Sequence, residues 1–206
     1  MSKNRKRKRQ EPEGEEGSYG QLHPNNIYYN NPPNFHELAK LYPRFGQYVS
    51  TLSNGTAAVD WTDPYAVRSM CVRPVFCREL TSVLLEHDFQ IKFTMPIEHL
   101  CPPIPQRLNY VHWVAELLSL PTAAAAPTTV RGIDIGTGAS CIFPLLGIRT
   151  FGWHFRATEV DPESVASANA LVHTNALQDA IRVLHVTDRG RIFTHPSLLA
   201  DTPYAS

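Results

Sequence analysis

The chain of 206 residues has no long apolar run, few cysteines and no net charge. No stretch reaches the ~18 consecutive apolar residues that a membrane-spanning helix needs, so none is predicted. The four cysteines (Cys71, Cys77, Cys101 and Cys141) have no Cys-x-x-Cys spacing, which argues against a zinc site and is typical of a reduced intracellular compartment. A formal net charge of zero neither favours nor excludes a nucleic-acid partner.

The histidines lack the partners that hydrolytic catalysis needs. His112, His154, His173 and His185 fall in different predicted elements, and none accompanies a paired nucleophile and carboxylate. A lone histidine is more often a surface group or a satisfied core group than a catalyst. The sequence therefore predicts neither a catalytic triad nor a metal site.

The excess of cations lies at the N-terminus. Six of the seven residues at 3–9 are basic, and no apolar segment follows them, so the run is not a secretory signal. Residues 1–33 are polar and rich in Pro, Asn and Gly, which is the composition of a largely disordered arm. The basic run is a nuclear import signal, an arm that contacts RNA phosphates, or a solubilising tail. Its cations are Lys3, Arg5, Lys6, Arg7, Lys8 and Arg9.

Residues 34–125 are interpreted as an N-terminal helical extension. A short helix is expected over Phe35–Leu41, where Pro43 ends it, and a brief strand over residues 57–61. Asp63-Pro64 is a strong helix start, because the aspartate can cap the helix and proline fits its first turn.

Pro74 interrupts the helical pattern that follows. A proline inside a helix costs about 3 kcal/mol, so residues 69–78 are either a break between two short helices or an insertion foreign to the fold. Apolar residues at helical spacing predict a further helix over residues 108–120.

Residues 126–206 alternate strands with helices. Connections this short permit only right-handed crossovers, as in the first half of a doubly wound parallel sheet. The expected fold class is therefore α/β, with an incomplete doubly wound sheet after the arm and the helical extension. The predicted elements are a buried strand over 130–135, further strands over 153–160 and 181–186, a helix start over 140–146, and a helix over 162–175 capped by Asp161.

A glycine turn follows the first of these strands. Gly136 and Gly138 supply unusual torsions and let a ligand approach the backbone closely. A dinucleotide site would have a third glycine where this chain has Cys141. Glu159, at the end of the next strand, can accept from both hydroxyls of a ribose. The combination predicts a site for S-adenosylmethionine (SAM), with a nucleotide site and a purely structural turn as the alternatives.

Three polar residues near the turn have two interpretations each. Glu159 is either a solvated strand end or a ligand to ribose, and the second is favoured because Asp161 already caps the next helix. Ser140 is either a helix-start hydroxyl or a hydrogen-bond donor to the cofactor. Asp134 is expected to order the turn rather than contact the ligand.

Longer motifs are more specific than the glycine turn alone. They are Pro105-x-Arg107-Leu108-Asn109-Tyr110-x-His112-Trp113, Gly136-Thr137-Gly138-Ala139-Ser140-Cys141 and Ala157-Thr158-Glu159-Val160-Asp161. With these motifs the sequence resembles the methyltransferase-like protein 16 family over residues 30–190, with interruptions. The resemblance implies a Rossmann-like class I SAM-dependent methyltransferase that acts on adenine N6 in structured RNA, notably U6 small nuclear RNA. It also implies cofactor contacts at Arg107, Gly136, Ser140 and Glu159, and Gly138 belongs to the same turn.

The sequence departs from the family's pattern in three places. The catalytic Asn-Pro-Pro-Phe tetrad follows the family's fourth strand, and this chain ends before it, so no catalytic residue is assigned. The similar residues 31–35 lie in the arm and are expected to be a decoy. Residues 69–78 look inserted, and a further cofactor contact falls at Gly190, which has no side chain. We therefore expect a truncated chain that binds SAM weakly and does not transfer methyl groups.

An RNA adenine methyltransferase is thus the leading interpretation. A non-catalytic RNA-binding module with a vestigial SAM pocket is one alternative, and a methyltransferase of protein or small molecules is another. No membrane and no metal partner is expected. The expected location is the nucleus, without exclusion of the cytoplasm.

Overall fold

The computed structural model of the chain describes residues 22–51, 53, 55, 57–59, 75–120 and 129–187. Helices and strands alternate in the second half of this region and are irregularly mixed in the first. The elements are α1 (Phe35–Leu41), α2 (Pro43–Gly46), β1 (Val49–Thr51), β2 (Ala57–Val59), α3 (Val75–Phe89), α4 (Ile104–Ser119), β3 (Arg131–Ile135), α5 (Ile142–Phe151), β4 (His154–Glu159), α6 (Pro162–Thr174) and β5 (Ile181–His185).

The three strands of the second half form a parallel sheet in the order β3-β4-β5. Ile135 pairs with Thr158, and Glu159 pairs with His185, so the strands end at the same edge. This is the half-sheet that the alternating pattern predicted. Ligands of such sheets bind outside the carboxyl ends of the strands, which here places Gly136 and Glu159 at one edge.

Two local signals explain the helices that follow β3 and β4. The Asp161 side chain accepts from the Ser164 backbone N–H at 2.8 Å and so caps α6, as predicted. The predicted start of α5 at residue 140 is wrong by two residues. Cys141 adopts a left-handed conformation with φ of 47°, so the chain turns once more before α5 begins at Ile142.

The helices of the extension follow their caps and prolines. The prediction over Phe35–Leu41 is confirmed: Asn34 caps α1 by accepting from the Glu37 backbone N–H at 3.3 Å. Pro43 ends α1 and also begins α2. Helix α4 begins at Ile104, before the predicted residue 108, since Pro105 is tolerated in a first turn.

The structure describes the chain only on the C-terminal side of Pro74. Helix α3 begins at Val75, directly after the proline, so residues 75–78 are helical. The predicted start at Asp63-Pro64 and residues 69–74 lie outside the described residues. The strand predicted over residues 57–61 is present as β2, which pairs antiparallel with β1.

The expectation of a largely disordered arm is wrong for residues 22–33. His23, Asn26 and Tyr28 are buried there. The Asn26 side chain donates to the Pro105 carbonyl at 3.0 Å, and the Tyr28 hydroxyl donates to Asp88 Oδ2 at 2.6 Å. These bonds fasten the segment to α4 and α3, which a prediction from composition cannot detect. Residues 1–21 lie outside the described residues.

One hydrophobic core extends through the extension and the sheet. It contains Phe45 and Phe76 from the extension, Leu108 of α4, Leu145 of α5 and Ile181 of β5. Burial of such side chains supplies about 1.5–3 kcal/mol each, so the extension and the sheet stabilise one another.

The prediction that the first strand is buried is wrong. Ile133 and Ile135 of β3 are 50% and 47% exposed. Exposed and half-buried residues alternate along β3, so one face of the strand is uncovered in the described structure, where only β4 pairs with it.

Candidate functional site

The glycine turn between β3 and α5 faces open space. Gly136 and Gly138 have φ of +74° and +64°, a left-handed conformation that costs other residues about 1–2 kcal/mol. The turn is held to β4, because the backbone N–H groups of Gly136 and Thr137 both donate to the Thr158 carbonyl at 2.9 Å. A Cβ added to either glycine would have no described atom within 4 Å. A ligand can therefore approach the backbone of the turn.

Glu159 joins this turn to the end of β4. One carboxylate oxygen accepts from the Gly138 backbone N–H at 2.9 Å. The other accepts from the backbone N–H groups of Val160 at 2.7 Å and Asp161 at 3.1 Å. Glu159 therefore also stabilises the local fold, although Asp161 caps the next helix. A carboxylate has about four acceptor positions, so ribose hydroxyls would share them with these backbone donors or replace one.

Asp134 lies half-buried at the end of β3, next to the turn. Its Oδ2 atom is buried and has no hydrogen-bond partner among the described residues. Burial raises the pKa of this carboxyl above its usual value, and the charge of Glu159 raises it further, while the Thr137 hydroxyl lowers it in part. The carboxyl therefore holds its proton more tightly in the folded than in the unfolded chain.

Replacing Asp134 by asparagine is expected to change the pH dependence of stability. Because the folded pKa lies above the ordinary value, wild-type stability falls as pH rises through the interval between the two. The variant lacks this titration. The free energy of unfolding of the variant minus that of the wild type should therefore increase with pH across that interval and stay constant above it. Urea unfolding of both proteins from about pH 3 to about pH 8 measures the difference.

The exposed Asp179, in the turn before β5, provides the matched control. Asp179→Asn also removes one carboxyl, and its difference from wild type is the reference for the Asp134→Asn difference at each pH. A constant difference between Asp134→Asn and wild type over the whole range would contradict the assignment of a raised pKa to Asp134.

Arg107 of α4 reaches the same region as Asp134. Both line a cavity of about 560 Å³ between α4, β3 and α5. The Arg107 guanidinium lies 5.5 Å from the ring centroid of Phe143, and its Nε atom is buried without a hydrogen-bond partner in the described structure. A buried cationic donor without a partner is suited to a carboxylate ligand.

Ser140 does not cap the helix that it precedes. It is half-buried in the turn, and the N-cap of α5 is Cys141, which makes no side-chain capping bond. Of its two interpretations, the structure therefore contradicts the capping one. Its role as a donor to the cofactor stays a prediction.

The other residues singled out by the sequence lie either outside the described residues or elsewhere in the fold. The basic residues 3–9 and Gly190 lie outside the described residues. The decoy motif at residues 31–35 does not follow a strand. Asn34 caps α1, and residues 31–34 line a cavity with Leu84 and Asp88 of α3. Phe143 was not predicted as a site residue, because its position in the helix does not distinguish it from a core residue.

Two further kinds of site are absent from the described residues. No helix there combines the length and apolar character needed to cross a membrane. No group of three or more His, Cys, Asp or Glu side chains is arranged there to hold a metal ion.

A parallel sheet whose edge strand ends in an acid-x-Gly-x-Gly turn, bonded to an acid at the end of the next strand, defines a Rossmann-like methyltransferase fold. The chain belongs to the RNA methyltransferase family, whose model matches residues 17–197. The RNA N(6)-adenosine-methyltransferase METTL16 of Homo sapiens is 43% identical over 168 residues, which are 82% of this chain and 28% of that protein. The U6 small nuclear RNA (adenine-(43)-N(6))-methyltransferase of Caenorhabditis elegans is 38% identical over 187 residues, 90% of this chain and 36% of that protein.

Solved structures agree with the family and with the fold class. The N-terminal domain of human METTL16 in complex with SAH has a TM-score of 0.69 at 42% identity, covering 82% of this chain and 60% of that chain. The catalytic domain in complex with a MAT2A 3'UTR hairpin also has a TM-score of 0.69 at 42% identity, with coverage of 82% and 54%. The chain thus spans about a third of the length of its curated relatives and just over half of the solved domains.

Proposed function

We propose that the chain carries the cofactor site of a SAM-dependent methyltransferase that modifies adenine N6 in structured RNA, with U6 small nuclear RNA or a similar hairpin as substrate. The observation that carries the proposal is the 2.9 Å hydrogen bond between the Gly138 backbone and the Glu159 carboxylate. This bond supports the proposal because the glycine turn and the acid expected to hold the ribose lie side by side at the edge of the sheet.

The residues at this edge fit the parts of SAM. Arg107 would hold the methionine carboxylate, for which the buried Nε without a partner is suited. The open surface of Gly136 and Gly138 would admit the cofactor against the backbone, and Glu159 would accept from the ribose hydroxyls. SAM supplies an electrophilic methyl group, and the contribution of these residues is to position it for in-line attack.

The RNA part of the proposal is supported by relatives and by charge. The solved relatives include a complex with an RNA hairpin, and the relatives are named as RNA adenine methyltransferases. The basic run at residues 3–9 would contact RNA phosphates and would also serve for import into the nucleus. These cations precede the segment from residue 22 that is fastened to α4, the helix that carries Arg107.

Titration of the chain with SAH tests the cofactor site. We expect Arg107→Lys to weaken binding about tenfold, because lysine cannot form the two parallel bonds of a guanidinium with a carboxylate. Isothermal titration calorimetry gives the affinity. Arg149→Lys, at an exposed arginine of α5, is the control and should bind SAH as the wild type does.

A hairpin RNA with an unpaired adenine tests the substrate class. Replacing the six cations of residues 3–9 by glutamine should lower RNA affinity and flatten its salt dependence, while SAH affinity stays unchanged. No heat of SAH binding in the wild-type chain would reject the cofactor site. SAH binding without RNA binding would instead support a methyltransferase of protein or small molecules.

A further inference from the structure

A second pocket lies on α4, lined by residues that the proposed methyltransferase site does not use. His112, Ala115, Glu116 and Ser119 follow one another at the spacing of one helix face and form its floor. His23 and Asn25 line it from the segment before α1, and Phe151 lines it from the end of α5. Its volume is about 250 Å³. We call it the His112 pocket.

His112 is buried in this pocket with an unused polar atom. Only 7% of the residue is exposed, and its Nε2 atom has no hydrogen-bond partner in the described part of the chain. The His23 ring stacks parallel on it with centroids 5.4 Å apart, and the Phe151 ring meets it edge-on at 5.4 Å. A buried polar atom without a partner is unfavourable, so a ligand that bonds to Nε2 would be favoured.

The protonation of His112 is set by these neighbours. Burial lowers the pKa of the imidazole, and the nearby His23 lowers it further. The ring is therefore neutral at neutral pH and can present a single N–H donor at Nε2.

Hydrogen-bond acceptors accompany this donor. The Glu116 carboxylate is half exposed and lies 3.3 Å from His23 Nε2 through one of its oxygens. The Ser119 hydroxyl donates to the Glu116 carbonyl at 2.7 Å, so its oxygen is left to accept. The residues that line the pocket in the described chain include no lysine or arginine. The site therefore favours a neutral, planar ligand with adjacent donors over an anion.

Aromatic rings supply flat surfaces beside these polar groups. Phe151 is 39% exposed and stacks on Trp153 with centroids 4.9 Å apart. Trp113 is 49% exposed and meets the His23 ring edge-on at 5.2 Å. Exposed aromatic rings next to polar groups are the usual surface on which proteins stack unpaired nucleobases.

We propose that the His112 pocket binds an unpaired guanine base of RNA. Guanine carries two adjacent donors, N1–H and the 2-amino group, which match the Glu116 carboxylate, and an acceptor, O6, which matches the donor at His112 Nε2. Adenine, cytosine and uracil lack the paired donors. The choice of RNA as the source of this base rests on the proposed function and on the position of the pocket. The wall formed by His23 and Asn25 belongs to the segment that continues the basic arm.

Short oligouridine RNAs with one central guanosine, inosine, adenosine or uridine test this proposal. All four carry the same charge, so contacts of the basic arm to phosphate are equal among them. Fluorescence anisotropy with the full chain should show guanosine bound about tenfold more tightly than uridine. Inosine, which lacks the 2-amino group, should bind with intermediate affinity.

Two variants assign the preference to the pocket. Glu116→Gln keeps an oxygen that accepts from His23 but removes the paired acceptors, and it should abolish the preference for guanosine. His112→Phe keeps a ring for the stack on His23 and removes Nε2, and it should reduce the preference. Glu98→Gln, at an exposed position, is the control and should keep it.

The outcomes separate this proposal from the cofactor site. Equal affinity for the four RNAs, or a guanosine preference that survives Glu116→Gln, would overturn it. Binding of an arginine amide that depends on Glu116, without discrimination among the RNAs, would assign the pocket to a protein ligand and also overturn it. SAH affinity should be the same in Glu116→Gln and wild type, so loss of SAH binding in the wild type counts only against the proposed function.

Discussion

Glu159→Ala is expected to bind SAH at least ~100-fold more weakly than the wild type. The substitution removes the acceptor proposed for both ribose hydroxyls, and hydrogen bonds to a charged group contribute about 1.5–3 kcal/mol each. It also releases the Gly138 backbone N–H, which the carboxylate holds at 2.9 Å, so the turn loses one of its bonds to β4 and keeps the two to the Thr158 carbonyl. Calorimetric titration with SAH measures the loss.

The control for this variant lies four residues further along the chain. Glu163 is exposed in the first turn of α6, and Glu163→Ala should bind SAH with wild-type affinity. Circular dichroism should show that both variants are folded. Wild-type affinity in a folded Glu159→Ala protein would disprove the role of Glu159 in cofactor binding.

Gly138→Ala is the second change with a large expected effect. Gly138 has φ of +64°, and a methyl group there would project into the open space beside the turn. We expect a loss of stability of about 1–2 kcal/mol from the left-handed backbone. We also expect a loss of SAH affinity of about a hundredfold, because the methyl group would occupy the space that the cofactor needs.

Gly152 separates these two effects. It ends α5 with φ of +69°, and a Cβ there also has no described atom within 4 Å. Gly152→Ala should lose a similar amount of stability and keep its SAH affinity. Wild-type SAH affinity in both variants would show that the open space at Gly138 is not the cofactor site. The same loss of SAH affinity in both variants would attribute the loss to reduced stability.

Much of the sheet could be predicted because its signals are local. Each predicted strand of the second half is present within one or two residues, and Asp161 caps α6 as its position before Pro162 indicated. The closeness of Gly138 and Glu159 was also foreseeable, although 21 residues separate them and the bond between them was not predicted. Parallel strands that begin together end together, and this brings the two residues to one edge.

The rest depends on contacts between distant parts of the chain. No periodicity indicates that Asn26 bonds to the Pro105 carbonyl, and so the order of residues 22–33 could not be seen in their composition. The same holds for the cavity that Arg107 shares with Asp134, which exists only because α4 packs against β3 and α5. The additional role of Glu159 in fixing the turn was missed because its partners are backbone N–H groups, which are present at almost every position.

The position of β3 has a practical consequence for anyone who handles this chain. No strand of the described residues pairs with its outer side, which leaves backbone groups and two half-exposed isoleucines, Ile133 and Ile135, open to another extended polypeptide. A formal charge of zero provides little repulsion between molecules near neutral pH. The outer side of β3 should therefore limit the solubility of the protein. Moderate dilution, or a pH away from neutrality, should prevent aggregation better than added salt.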